Sequence, residues 1–256
     1  MIDIPLLQVM LALLTIGVRV SGLMLFAPFL GSTVIPARIK AVLTLALTFL
    51  LYPMVEHSIP AIAVGEWPGM VASELLVGLA LGIVTSLVFD AVQMAGQVLS
   101  IQMGYSLINI LDPNTQVEST VVATFHQALV MLIFLRLDVH LWLLRALGNS
   151  FAYLPPGSAH LTRPFAVTAL GAGASVIQVG VQVAAPVLSA TLLADLVLGL
   201  LGKASPQLPL MLLGPAVKSL LGLLVLMAAL KYWPDMFRGL FLRSIAATEQ
   251  LLHLAR

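Results

Sequence analysis

An all-α, helical membrane-associated fold built of bent helical hairpins is what this sequence predicts, and three observations predict it. Only 9% of the 256 residues are charged while 60% are hydrophobic, and mean hydropathy is +1.07. A soluble domain carries about 25% charged residues. This chain could not cover a water-exposed surface, which excludes a soluble globular enzyme and a disordered linker alike. Second, the apolar residues fall into long runs free of Asp, Glu, Lys and Arg, approaching the length of membrane-spanning helices. Third, Pro and Gly interrupt those runs often enough to bend them. The net charge of +1 gives no electrostatic reason to expect nucleic acid, and the absence of cysteine removes disulfides, thiolate metal sites and Cys nucleophiles.

Taken in order, the start Met1-Ile2-Asp3-Ile4-Pro5 lacks the basic region of a secretory signal peptide, so the first apolar segment is expected to be retained. Charge-free runs extend over Ile4–Val18, Val20–Ala37, Ala41–Val55, Leu75–Phe89, Ala91–Leu111, Ser119–Leu135 and Pro164–Ala194, with shorter ones around Ala204–Val217 and Ser219–Leu230. At about 20 residues per span, these amount to roughly six helices. Arg19 divides the first two runs, and Ala27-Pro28 and Ile35-Pro36 break helical hydrogen bonding where a turn is needed, which predicts a helix followed by a bent or re-entrant piece. Pro186 and the polar turn Lys203-Ala-Ser-Pro206-Gln207-Leu-Pro209 predict a helical hairpin from about Val181 to Leu230. Lys231–Arg256 carries four basic and two acidic residues, and its Phe237, Leu240, Phe241 and Ile245 suggest an amphipathic surface helix on the cytoplasmic side. The acidic connection from Glu56 to Glu66 suits the opposite face.

Ionisable groups within apolar runs each cost about 2.5–3.5 kcal/mol at the centre of a span on insertion scales. They are Arg19, Glu74, Asp90, His126 and Asp195. Two readings fit: a proton relay or ion path, or Arg19, Glu74 and Asp90 as structural groups that sit near helix ends or pair with one another and with backbone in a packed interior. His126, alone on an apolar helix, reads as a satisfied interior histidine. There is no His-Glu-x-x-His, Gly-x-Ser-x-Gly or phosphate-binding glycine loop, and His140, His160 and His253 have no second ligand at helical spacing. No catalytic, cofactor-binding or metal-binding residue is predicted, and an enzyme is not expected.

Val88–Val122 is the most informative stretch. Asp90, Gln93, Gln97 and Gln102 set polar groups along an apolar helix, with Gln93 and Gln97 one turn apart. Gly96, Ser100 and Gly104 follow the small-x-x-x-small spacing that lets helices approach closely. A hydrogen-bonded seam between helices and a water-facing channel wall fit equally, and Met94 and Met103 could seal against irregular neighbours. Gln93, Met94, Gln97, Gln102 and Met103 are therefore candidate pore-facing or inter-subunit residues. The next segment turns at Asp112-Pro113-Asn114, and Ile108, Ile110 and Leu111 would be poor residues to expose to water. Its first half is expected to be buried in a cavity or against a partner.

These residues resemble, in order across more than 200 positions, the flagellar biosynthesis protein FliR family, whose counterpart in virulence secretion is the SctT family. The resemblance is carried by Arg19 with Gly22, Ala27-Pro28-Phe29-x-Gly31, Ile35-Pro36-x-Arg38 and Glu74-Leu-x-x-Gly78-x-x-x-Gly82. It continues in Ala95-Gly96-Gln97, Gln102-Met103-Gly104, Asp112-Pro113, Phe134-Leu135, Ser150-Phe151, Ala185-Pro186, Pro206-Gln207 and Gly214-Pro215-x-x-Lys218. Gln102-Met103-Gly104 and Asp112-Pro113 favour the flagellar branch. Lys203 stands where the family usually has Arg, and Pro209 where it usually has Asn.

The resemblance implies a non-enzymatic, cofactor-free part of a type III secretion export gate in the bacterial inner membrane. Such a protein assembles with FliP and FliQ subunits, contacts FlhB, meets membrane lipid, and helps form the conduit for unfolded flagellar proteins. It implies a FliP-like portion over about 1–175, a FliQ-like hairpin over about 176–230 with its turn at Lys203, Pro206 and Gln207, and a cytoplasmic tail over 231–256. It also implies that a loop plugs the resting pore, here Leu107, Ile108, Asn109, Ile110, Leu111, Asp112, Pro113, Asn114, Thr115, Gln116 and Val117. Arg19, Glu74, Asp90, Asp195 and Lys218 are expected to be structural ionisable groups. The competing expectations are an ion-coupled secondary transporter using Glu74, Asp90, His126 and Asp195, and a purely structural scaffold.

Overall fold

The computed structural model describes residues 5–32, 35–55, 67–105, 121–160, 162–205, 207 and 209–255, and every regular element among them is helical. In chain order the helices are α1 (Pro5–Phe26), α2 (Ala37–Val55), α3 (Trp67–Gln102), α4 (Val121–Arg136), α5 (Val139–Tyr153), α6 (Arg163–Ala204), α7 (Leu210–Ala229) and α8 (Trp233–Leu254), with a 3₁₀ turn at Leu230–Tyr232. By length and composition, five stretches could cross a membrane: Val9–Phe26, Ala37–Val55, Trp67–Gln102, Arg163–Ala204 and Leu213–Leu254. The pair α4 and α5, taken as one broken span, would make a sixth. The described residues form two compact units, Met1–Val88 with Asp138–Ala174 and Leu240–Arg256, and Phe89–Leu137 with Ser175–Gly239.

In the first unit, α1 runs straight through Arg19, which the sequence had suggested as a divider; the charge is neutralised inside the unit and does not break the helix. The helix stops at Ala27-Pro28, where Phe29 takes φ 68° and Gly31 donates its N–H to the Ala27 carbonyl at 2.7 Å. A Cβ on Gly31 would lie 2.8 Å from the Leu25 carbonyl oxygen, so the turn closes only with glycine. Lys40 Nζ donates to the Gly31 carbonyl at 3.0 Å, and Gly17 faces Thr48, so α2 returns antiparallel to α1. α3 instead lies parallel to α1: Gly22 meets Gly78, and Gly82 meets Leu23. Ile16, Val20, Leu23, Leu51, Val77, Leu81, Leu147, Phe151 and Leu154 form the core. The end of α8 is tied in by His160 N–H to the Ala255 carbonyl (2.8 Å) and Thr162 Oγ1 to the Leu254 carbonyl (2.6 Å).

In the second unit, the C-terminal part of α3 packs antiparallel to α4, with Gly96 against Ala123 and the Phe89 and Phe134 rings edge to face at 5.5 Å. α6 and α7 form a helical hairpin. Of α6, Ser175–Ala204 lies in this unit; the helix as a whole begins at Arg163, before the expected Val181, and accommodates Pro186 as α7 accommodates Pro215. α6 buries Gly180, Val183, Ala184, Val187, Thr191 and Ala194 and leaves most other apolar side chains uncovered. Buried hydroxyls here and in the first unit, such as Thr85, Thr191, Ser73 and Ser150, donate to a carbonyl three or four residues back, so they can sit among apolar groups.

The expected surface helix over the C-terminal tail needs correction. α8 is amphipathic, but Trp233, Phe237 and Phe241 are buried, as are Leu240, Ser244, Thr248, Leu251 and Leu252. This stripe is covered by the chain's own helices, while Asp235, Arg238 and Arg243 stay exposed.

Candidate functional site

The costliest group in the sequence has the most complete set of partners. Arg19 and Glu74 are both fully buried and meet as a two-pronged pair, Nε to Oε2 at 2.7 Å and Nη2 to Oε1 at 3.1 Å. Arg19 Nη1 donates to Ser150 Oγ (3.0 Å) and Nη2 also donates to the Leu154 carbonyl (3.0 Å). Gly157, at φ 81° in the Pro155-Pro156-Gly157 turn, donates its N–H to Glu74 Oε1 at 3.0 Å. The guanidinium lies 4.0 Å from the Phe151 ring centroid. A planar fork of donors suits this environment, since it satisfies a carboxylate with two bonds and still reaches a hydroxyl, a carbonyl and an aromatic face. With three donors on Glu74 and no exposure to solvent, the arrangement ties α1, α3 and α5 together and offers no open path for a proton.

Glu74, Gly78 and Gly82 fall one helical turn apart and form one stripe of α3. A Cβ on Gly78 would stand 2.1 Å from the Arg19 carbonyl oxygen, and one on Gly22 2.9 Å from that of Leu75. The glycines bring the backbones close enough for Arg19 to reach Glu74.

The second unit has its own polar centre where α3 ends. α3 closes with Gly104 at φ 86°, Tyr105 N–H to the Ser100 carbonyl and Gly104 N–H to the Ile101 carbonyl, a glycine-dependent helix cap. Four consecutive residues then each find a seat on the hairpin. Gln102 Nε2 donates to Asp195 Oδ2 at 2.8 Å, and Asp195 Oδ1 pairs with Lys218 Nζ at 3.0 Å. Met103 is buried against Gly222, Gly104 abuts Pro215, and Tyr105 Oη shares a hydrogen with Ser219 Oγ at 2.6 Å.

This placement sorts the residues singled out from the sequence. Met103, expected to face a pore or another subunit, is buried within its own chain, because Gly222 leaves room for it. Met94 lies against Gly180, and Gln93 and Gln97 are half-buried. Asp90 is exposed on α3. His126 is fully buried with Nδ1 on the Val122 carbonyl (2.8 Å) and its ring 5.3 Å from that of Trp233, while Nε2, like the Ser100 hydroxyl, has no partner among the described residues. Lys203 is exposed in the last turn of α6 and Gln207 is exposed in the turn; Pro206 lies outside the described residues, as does all of Leu107 to Val117. Residues missed as contributors are Leu154 and Gly157 around Arg19, and Tyr105 and Ser219 around Lys218. Of these, only Gly157 carries a sequence signal that could have found it, the turn residues Pro155-Pro156-Gly157.

The family model described as bacterial export proteins, family 1, matches residues 10–244. Among individual proteins, the chain is similar to the flagellar biosynthetic protein FliR of Escherichia coli K12, 32% identical over 83% of this chain and 81% of that one. It is 27% identical to FliR of Bacillus subtilis over 95% of both chains. It is also 27% identical to the secretion system apparatus protein SsaT of Salmonella typhimurium, over 87% of this chain and 88% of the relative.

Proposed function

The chain belongs to the bacterial export proteins, family 1, the family that takes in the FliR proteins, and from that membership we propose that it is a core component of the flagellar type III export gate. In this reading it sits in the inner membrane, assembles with FliP and FliQ subunits, contacts FlhB, and helps to form the conduit through which unfolded flagellar proteins leave the cytoplasm. The observation that carries it is the extent of the match: residues 10–244 take in both polar centres and all but the outermost turns of the helical frame. Identity alone does not separate the branches, since FliR of B. subtilis and SsaT are both 27% identical to the chain; Gln102-Met103-Gly104 and Asp112-Pro113 support the flagellar one.

The loop from Ile108 to Val117 is the part of the chain we assign to closing the resting pore. Its hydrophobic first half follows a helix end held at four points on the hairpin, and a narrow apolar constriction excludes ions by dewetting. Deleting Ile108 to Val117 and measuring ion leakage across membranes that contain the assembled gate tests this. Leakage should rise sharply; unchanged leakage with normal assembly overturns the plug.

The secondary-transporter reading has no observation in its favour. Glu74 is engaged with Arg19, and Asp195 with Lys218 and Gln102, so two of its four candidate relay groups are held in ion pairs. The export reading predicts co-purification in fixed ratio with smaller helical membrane proteins, and no solute transport by the chain alone.

A further inference from the structure

We infer that the groove between α1 and α2 binds one acyl chain of an anionic phospholipid, with Arg38 holding the phosphate. The groove is an open cleft of about 460 Å³ within the first unit. α1 supplies Met10, Leu13, Leu14, Gly17, Val18 and Ser21 to its wall, and α2 supplies Thr44, Leu45, Thr48 and Phe49. It exists because Gly17 has no side chain where the helices face each other. Its three hydroxyls are turned to their own helices: Ser21 donates to the Val18 carbonyl, Thr44 to that of Lys40 and Thr48 to that of Thr44. The lining is therefore chemically apolar. From Met10 to Ser21 it runs about 16 Å at the helical rise per residue, which matches one leaflet, half of a hydrocarbon core about 30 Å thick. Both walls belong to stretches apolar enough to span a membrane, and only 11% of the α2 stretch is buried within the chain, so the groove opens where lipid is available.

Charge selects the headgroup. Arg38, Ala41, Leu45 and Thr48 recur at i, i+3, i+7 and i+10, so Arg38 heads the face of α2 that forms the groove, with only the small Ala41 between. Arg38 is exposed and makes no ion pair among the described residues. The only other charged side chains from Pro5 to Val55 are Lys40, which holds the Gly31 carbonyl at the same end, and Arg19, which Glu74 neutralises. No acidic residue occurs in that span, so every charge that α1 and α2 bring to this end of the groove is positive. A membrane protein partner would have to bring an acidic side chain to the end of the groove, whereas an anionic phospholipid carries the charge and the apolar chain in one molecule.

The test is native mass spectrometry of the full-length chain in detergent, titrated with phosphatidylglycerol or with phosphatidylcholine of the same acyl chains. Phosphatidylglycerol should be retained about fivefold more strongly, the contribution of one cation near an anionic headgroup. Arg38→Gln should abolish that preference without lowering the melting temperature in detergent. Gly17→Leu should lower retention of both lipids, since its first carbon fits at ordinary van der Waals contact, 3.5 Å from Thr48 Oγ1, and the rest fills the groove. Equal retention of the two lipids by the unaltered chain, or an unchanged preference in Arg38→Gln, overturns the proposal. A photoreactive residue at Leu45 in living cells gives a second readout that does not depend on either variant folding. Adducts to lipid support the site, and adducts to protein overturn it.

Discussion

At the scale of single residues, Arg19 shows how a charge can be carried inside an apolar chain. Its guanidinium and Glu74 are both fully buried, so removing either partner leaves the other uncompensated, whereas removing both exchanges a satisfied pair for apolar contact. Arg19→Met should destabilise the purified chain by about 3–5 kcal/mol in thermal or chaotrope unfolding, and Arg19→Met with Glu74→Leu should recover most of that loss. Arg19→Lys should fall between, because an ammonium keeps the charge but cannot make the two-pronged bond and also reach Ser150 and Leu154. At the other polar centre, Tyr105→Phe removes one hydrogen bond to Ser219 and should cost about 0.5–1.5 kcal/mol in the same assay. The sequence made Arg19 and Glu74 visible, since any ion in an apolar run is expensive. It offered pairing among Arg19, Glu74 and Asp90 as one of two readings without saying which belong to each other, because 55 positions separate Arg19 from Glu74 and hydropathy registers a charge without its partner.

At the scale of helices, glycine spacing decides which pairs come close. Gly78 is a contact point, since an added Cβ would stand 2.1 Å from the Arg19 carbonyl oxygen; Gly173 in α6 has nothing within 4 Å. Gly78→Ala should force α1 from α3 and destabilise by about 1–3 kcal/mol. Gly173→Ala should stabilise by about 0.5–1 kcal/mol through helix propensity alone, and paired unfolding curves of the two variants separate packing from propensity. Close helix approach at Gly96, which meets Ala123, was one of the two readings its small-residue spacing allowed, whereas Gly104 lies past the end of α3 at φ 86° and serves its cap. One proline misled in the other direction. Pro186 reads as a break in a sequence, yet a long helix with packed neighbours on both sides of it absorbs one missing hydrogen bond, as α7 does at Pro215. The tail misled for a different reason. An amphipathic pattern specifies that one face is covered but not by what, and Phe237 and Phe241 are covered by this chain.

At the scale of the whole molecule, low charge invites the conclusion that the apolar surface lies in lipid, and the length of α6 argues against it. The helix has 42 residues, about 63 Å at the α-helical rise, against a hydrocarbon core about 30 Å thick. Within the second unit alone, the exposed Ile177 and Leu201 are 24 positions apart on one helix, about 36 Å of rise. An average tilt of about 20° still leaves them farther apart than the core is thick. At least one therefore projects into the headgroup region or beyond, where an uncovered aliphatic side chain is unfavourable and a neighbouring subunit is the natural cover. Because the chain has no cysteine, single cysteines at Ile177 and Leu201 make clean probes. Expressed alone, at least one site should react with a membrane-impermeant maleimide applied to both sides of the membrane, and co-expression of the other export components should protect it by tenfold or more in rate. Protection of both sites in the chain alone would mean that lipid covers the whole helix, and the surplus length would then need another explanation.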